Sequence, residues 1–99
     1  MSHAINLPPI LDIVAAPGLL DNFLQLRGNE VSVEASQVQR LGAQCLQVFL
    51  AARSAWAEDN VTLQYQAPSK DFIESLELLG TSISKLTHNA LQEAGEKNK

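Results

Sequence analysis

Few side chains in this sequence are suited to chemistry, and their spacing decides how they are read. The two histidines, His3 and His88, are the imidazole bases available for proton transfer, yet neither has a Cys, Asp or Glu at metal-ligand spacing. His3 stands near the amino terminus. His88 falls within a helical pattern and is read as a solvated helix residue. Glu74 and Glu77, three apart, share a helix face, and on an exposed surface such a pair serves solubility rather than acid–base work. The single cysteine, Cys45, cannot form an internal disulfide and fits a reducing compartment. Its place early in a helix admits a buried small hydrophobe or a thiol of lowered pKa; free cysteines are mostly packing residues, and that is the reading taken. Neither a phosphate-cradling glycine loop nor a nucleophile elbow is present. A non-enzymatic protein without metal or cofactor is therefore expected.

Composition narrows the partners. The 99 residues suit one domain with a single core, and 45% hydrophobic with 18% charged residues is ordinary for a globular protein. A net charge of −4 and a pI near 4.9 argue against nucleic-acid binding, which needs clustered cations to neutralise phosphates. The seven basic residues, Arg27, Arg40, Arg53, Lys70, Lys85, Lys97 and Lys99, are scattered. No apolar run approaches the roughly 20 residues that span a bilayer. The amino terminus lacks the basic flank and apolar core of a signal peptide, so a cytoplasmic chain is expected.

The elements that must position any working surface centre on the stretch from Val31 to Trp56. Val31 and Val33 alternate with polar residues as in a strand, and a long apolar-rich run free of Pro and Gly then reads as a helix. The loop Gln39-Arg40-Leu41-Gly42-Ala43 joins them. Gly42 is placed where the helix begins, allowing a sharp turn and leaving first-turn N–H groups free to meet a partner. Ahead of this unit, Ala4 to Leu7 is a short strand stopped by Pro8-Pro9, near an edge or a bend, and Ile10 to Ile13 resumes an extended path. Pro17 suits a first helical turn; Leu19, Leu20, Phe23, Leu24 and Leu26 follow at helical spacing until Gly28 stops the helix, with Arg27 against its negative end. Beyond it, Val61, Leu63 and Tyr65 form a half-buried strand. Ser69 caps a helix carrying Phe72, Ile73, Leu76 and Leu79 as its buried stripe, stopped by Gly80. From Ser82, residues Ile83, Leu86, Ala90, Leu91 and Ala94 predict a last amphipathic helix to Gly95 that closes the core. Trp56 is placed in the core. The result is an α/β domain over residues 1–95, with a frayed tail at 96–99.

Several of these residues carry a resemblance. Val33-Glu34-Ala35-Ser36 is a strand ending in an acidic residue and a serine, and Leu41-Gly42-Ala43-Gln44-Cys45-Leu46 leads into the apolar helix Gln47-Val48-Phe49-Leu50-Ala51-Ala52. This resembles the STAS domains, the family of anti-sigma factor antagonists, whose loop reads apolar-Asp-Ser-Ser/Thr-Gly-Leu. The following strand, the Pro68-Ser69 turn and the Leu78-Leu79-Gly80 ending extend the resemblance over nearly the whole chain. It implies a STAS-like mixed β-sheet of about four strands with helices packed mainly on one face.

The departures bear on function. Gly42 stands where the family's Asp is usual, and Ala43 stands where many members carry the serine that a partner kinase phosphorylates. Lacking a hydroxyl, Ala43 excludes phosphorylation there. Ser36 retains that chemistry, though a strand-end serine ordinarily bonds nearby backbone. The loop and the late-helix Trp56 look most like the small chemotaxis-associated members. That resemblance implies signal transduction, with a chemotaxis histidine kinase of the CheA type as partner and an influence on response-regulator phosphate flow. The expected docking surface is Gln39, Arg40, Gly42, Ala43 and Gln44. Two alternatives stand beside it. One is an accessory STAS subunit of a lipid-transporting ABC system, held by apolar contacts through Ile83, Leu86 and Leu91; the other is an anti-sigma factor antagonist.

Overall fold

The structure, a computed structural model, describes residues 3–90. In chain order the elements are β1 (His3–Asn6), β2 (Ile10–Leu11), α1 (Ala16–Gln25), β3 (Val31–Glu34), β4 (Arg40–Leu41), α2 (Ala43–Glu58), β5 (Leu63–Gln66), α3 (Lys70–Leu78) and α4 (Ile83–Leu86). β1, β3 and β5 form a parallel sheet in the order β1-β3-β5, and β2 and β4 pair separately, also in parallel. The register aligns Ile5, Val33 and Tyr65 in one row and His3, Val31 and Leu63 in the next. Strand side chains alternate between faces. Ile5, Val31, Val33 and Leu63 are buried on the covered face, whereas Ala4, Asn6, Gln64 and Gln66 on the other are exposed. The helices therefore lie on one face, and the expected α/β architecture is the one formed.

Turn chemistry sets the element ends. Gly28 and Gly80 adopt φ of +90° and +83°, a region that costs an L side chain, so each stops the helix before it. Pro17 lies in the first turn of α1. Ser69 caps α3 by accepting from the Phe72 N–H at 3.0 Å, and Asp71 follows in the first turn. The buried stripe of α3 is narrower than expected: Phe72 and Leu76 are buried, while Ile73 and Leu79 remain on its exposed rim.

The core is organised by rings. All five aromatic residues join one network. Phe49 of α2 meets Phe23, Tyr65 and Phe72 edge-on at centroid distances of 6.1, 5.8 and 5.9 Å, and Phe23 meets Trp56 at 5.7 Å. These edge-to-face contacts add to area burial. Trp56 is buried as expected, and its indole N–H donates to the Asn29 carbonyl at 2.7 Å. The Tyr65 hydroxyl is buried without a partner among the described residues, and burial pushes its pKa up. Because an unsatisfied buried hydroxyl is costly, Tyr65→Phe is expected to stabilise the domain by about 1 kcal/mol. A denaturant midpoint at or below that of the parent chain would contradict this.

The last described segment corrects the expected long helix. α4 ends at Leu86; Thr87 turns extended, and its hydroxyl donates to the Ile83 carbonyl at 2.9 Å. His88 then pairs antiparallel with Leu63, N–H to C=O in both directions at 2.8 and 2.9 Å. This bridge adds a fourth, antiparallel position to the sheet. His88 is only 4% exposed, so it is not a solvated helix residue: satisfying the open edge of β5 prevails over continuing the helix. Leu86 is buried and Ile83 packs against the core, as core closure requires. Leu91, the predicted helix end at Gly95 and the tail at 96–99 lie outside the described residues.

Candidate functional site

The segment joining β3 to α2 is more ordered than a loop. Ala35 N–H bonds the Gln66 carbonyl, Ser69 N–H bonds the Ala35 carbonyl, and the Ser69 hydroxyl donates to the Val38 carbonyl. These bonds fix the segment to β5 and α3. Pro9, unable to donate itself, offers a carbonyl that accepts from Gln39 N–H at 2.7 Å and Arg40 N–H at 3.1 Å. Arg40–Leu41 then pairs with Ile10–Leu11, so part of the expected loop is a strand.

Gly42 is the N-cap of α2, and its N–H bonds the Leu11 carbonyl at 2.8 Å. Its φ of −101° and ψ of 169° are ordinary extended backbone, and an added Cβ would lie 3.6 Å from the Leu11 oxygen, a normal contact. The expected need for glycine at this turn is therefore not present. No side chain among the described residues caps α2.

Four of the five expected docking residues, Gln39, Arg40, Ala43 and Gln44, are exposed, and Gly42 is half-buried between them. Arg40 forms no ion pair among the described residues. Ser36 is exposed at the end of β3, and its hydroxyl makes no hydrogen bond among the described residues, contrary to the backbone bond expected of it. Cys45 is buried, and its thiol donates to the Asp12 carbonyl at 3.3 Å. Burial first, and then the charge of Asp12, push its pKa up, so it is a neutral packing residue.

The Cys45 bond also ties the turn before α1 to the start of α2. Asp12 accepts from the N–H groups of Val14 and Ala15, each at 3.1 Å, which closes a tight turn and leaves Ile13 64% and Val14 82% exposed. The extended path expected from Ile10 to Ile13 therefore stops at Leu11, because the Asp12 carboxylate draws the next residues into a turn, and the exposure of this apolar pair was missed in the sequence. Its signal was two β-branched residues between an Asp that initiates a turn and Pro17, fitting neither strand nor helix spacing.

The arrangement is that of a binding module: an α/β scaffold presenting a helix start, a cation and two apolar side chains at one end. The profile of the family described as "Mlab, STAS domain" matches residues 2–93, and the chain belongs to this family. STAS domains are generally non-catalytic interaction modules. No curated protein and no solved structure matches the chain. No helix among the described residues is long and apolar enough to cross a membrane.

Proposed function

We propose that this domain, spanning residues 1–95, is a cytoplasmic signalling module that docks a protein partner through Gln39, Arg40, Gly42, Ala43 and Gln44. The observation that carries this reading is the exposed Arg40 guanidinium, which forms no ion pair among the described residues, beside the start of α2, which no described side chain caps, a combination complementary to an acidic patch on a partner. The loop's likeness to chemotaxis-associated members such as CheS supports a histidine kinase of the CheA type as that partner. Bound to it, the module would bias phosphate flow to the response regulators. Arg40→Glu is expected to weaken binding about tenfold with the fold intact. Titration calorimetry of the purified kinase against both proteins tests this, and equal affinities would remove Arg40 from the interface.

A second reading has an observation of its own. Ile13 and Val14 lie exposed at the same end and suit the stable apolar contact of an accessory subunit in a lipid-transporting ABC complex. Of the apolar contacts first expected from the last helix, Leu86 is buried and Ile83 half-buried in the core, and Leu91 lies outside the described residues. Affinity capture from the native cell separates the two: a chemotaxis kinase supports the first, a transporter ATPase the second. The anti-sigma antagonist reading rests on Ser36, the exposed hydroxyl that remains when Ala43 has none.

A further inference from the structure

β1 is the outer strand of its sheet on the side away from β5. His3 N–H bonds the Glu30 carbonyl at 2.9 Å and Leu7 N–H bonds the Glu34 carbonyl at 3.0 Å, so His3, Ile5 and Leu7 turn their backbone groups toward β3. Successive residues of a strand direct these groups to opposite sides. Ala4 and Asn6 therefore present N–H and C=O outward, where no strand pairs with them among the described residues. Pro8, the next outward position, has no N–H, and the open row ends there. Beside this row the structure leaves room. Cavities of about 370 and 360 Å³ open between β1 and α1, the first against Leu7, Pro8, Gly18 and Asp21, the second against Ala4, Asn22 and Gln25.

We propose that this edge joins two copies of the chain, β1 antiparallel to β1 across a two-fold axis, so that their sheets become one. The backbone selects the register. With the axis at Ile5, Ala4 of each copy exchanges both hydrogen bonds with Asn6 of the other, and every outward donor and acceptor of β1 is used. Centring on Asn6 would set Ala4 against Pro8, which cannot donate; centring on Ala4 would carry Asn6 beyond the first residue of the opposing strand, His3. The side chains specify the occupant. His3 shares a face with the buried Ile5 and Leu7, so in this register His3 of one copy comes opposite Leu7 of the other, at the cavity that Asp21 lines. Asp21 Oδ2 accepts from the Gln25 amide at 2.8 Å, while its Oδ1 and the His3 imidazole make no hydrogen bond among the described residues. Symmetry forms this imidazole–carboxylate contact twice. An unrelated extended peptide would satisfy only the backbone row, and the charge match selects a second copy.

The test is sedimentation equilibrium of the untagged full chain from about 10 µM to about 1 mM, with amide hydrogen exchange read residue by residue at the same concentrations. A monomer–dimer equilibrium is expected, in which the Ala4 and Asn6 amides exchange more slowly as the dimer fraction rises. Ala4→Pro removes an outward donor and leaves the bonds to β3 in place, so it should abolish the dimer while melting as the parent does. His3→Glu should weaken association about tenfold, and His3→Glu/Asp21→Lys should recover most of that loss; this pair decides the matter if the proline variant does not fold. The proposal is overturned if the chain stays monomeric to about 1 mM, if a dimer forms that Ala4→Pro leaves intact, or if the double variant associates no better than His3→Glu. It is also overturned if the Ala4 and Asn6 amides are already protected in the monomer, which would put a segment of the same chain on the edge. Protection that arises only on adding the purified kinase would overturn it in favour of a partner's strand.

Discussion

Replacing Phe49 by alanine is expected to remove about 3–5 kcal/mol of stability, a large share of the roughly 5–15 kcal/mol that holds a domain folded. Phe49 is fully buried and is the one ring that touches α1, β5 and α3 together, through Phe23, Tyr65 and Phe72. Truncation leaves a cavity that three separate elements would have to move to fill, so relaxation recovers little. Urea unfolding followed by circular dichroism measures the effect. A loss below about 1 kcal/mol would show that the ring network can close around the gap and is not the keystone of the core.

The second large effect belongs to Leu86. It is fully buried, although its helix contains only four residues, so the packing of this short turn depends on that side chain rather than on helical propensity. Leu86→Ala is expected to cost about 2–5 kcal/mol. Leu78→Ala provides the contrast within the same chain: Leu78 is 88% exposed and its loss should change stability by no more than about 0.5 kcal/mol. Equal midpoints for the two variants in one denaturant series would mean that residues 83–88 are not part of the core.

Much of this architecture was legible because local and tertiary preferences agree. Val31 and Val33 alternate in sequence and lie on the covered face of β3; Leu63 and Tyr65 do the same on β5. Gly28 and Gly80 mark helix ends by a conformation that other residues avoid, and Ser69 caps α3 by a bond its position predicts. What was not legible depends on contacts between distant segments. β2 and β4 are two residues each, too short to show a period, and their pairing follows from how Pro9 and Leu11 meet the start of α2. The helical spacing from Ile83 onward is genuine, yet the open edge of β5 draws Thr87 and His88 into an extended path. At the candidate site, Arg40 and Gln44 are exposed, as both a docking surface and a solvated loop require. The exposure of Ile13 and Val14 follows from the Asp12 turn and from the distant Cys45 thiol that pins it.

The bridge between His88 and Leu63 has a consequence for how the protein is made. Synthesis delivers the chain from its amino terminus, so β1, β3 and β5 can assemble as soon as residue 66 is available, while the outer backbone groups of Leu63 must wait for His88 to be translated. During that interval the nascent domain exposes an unpaired strand edge, the feature through which incomplete chains recruit one another. Premature termination between β5 and His88 would thus yield fragments with an assembled sheet and an open β5 edge, prone to co-aggregate on polysomes, whereas termination before β5 would leave the edge of β3 open instead.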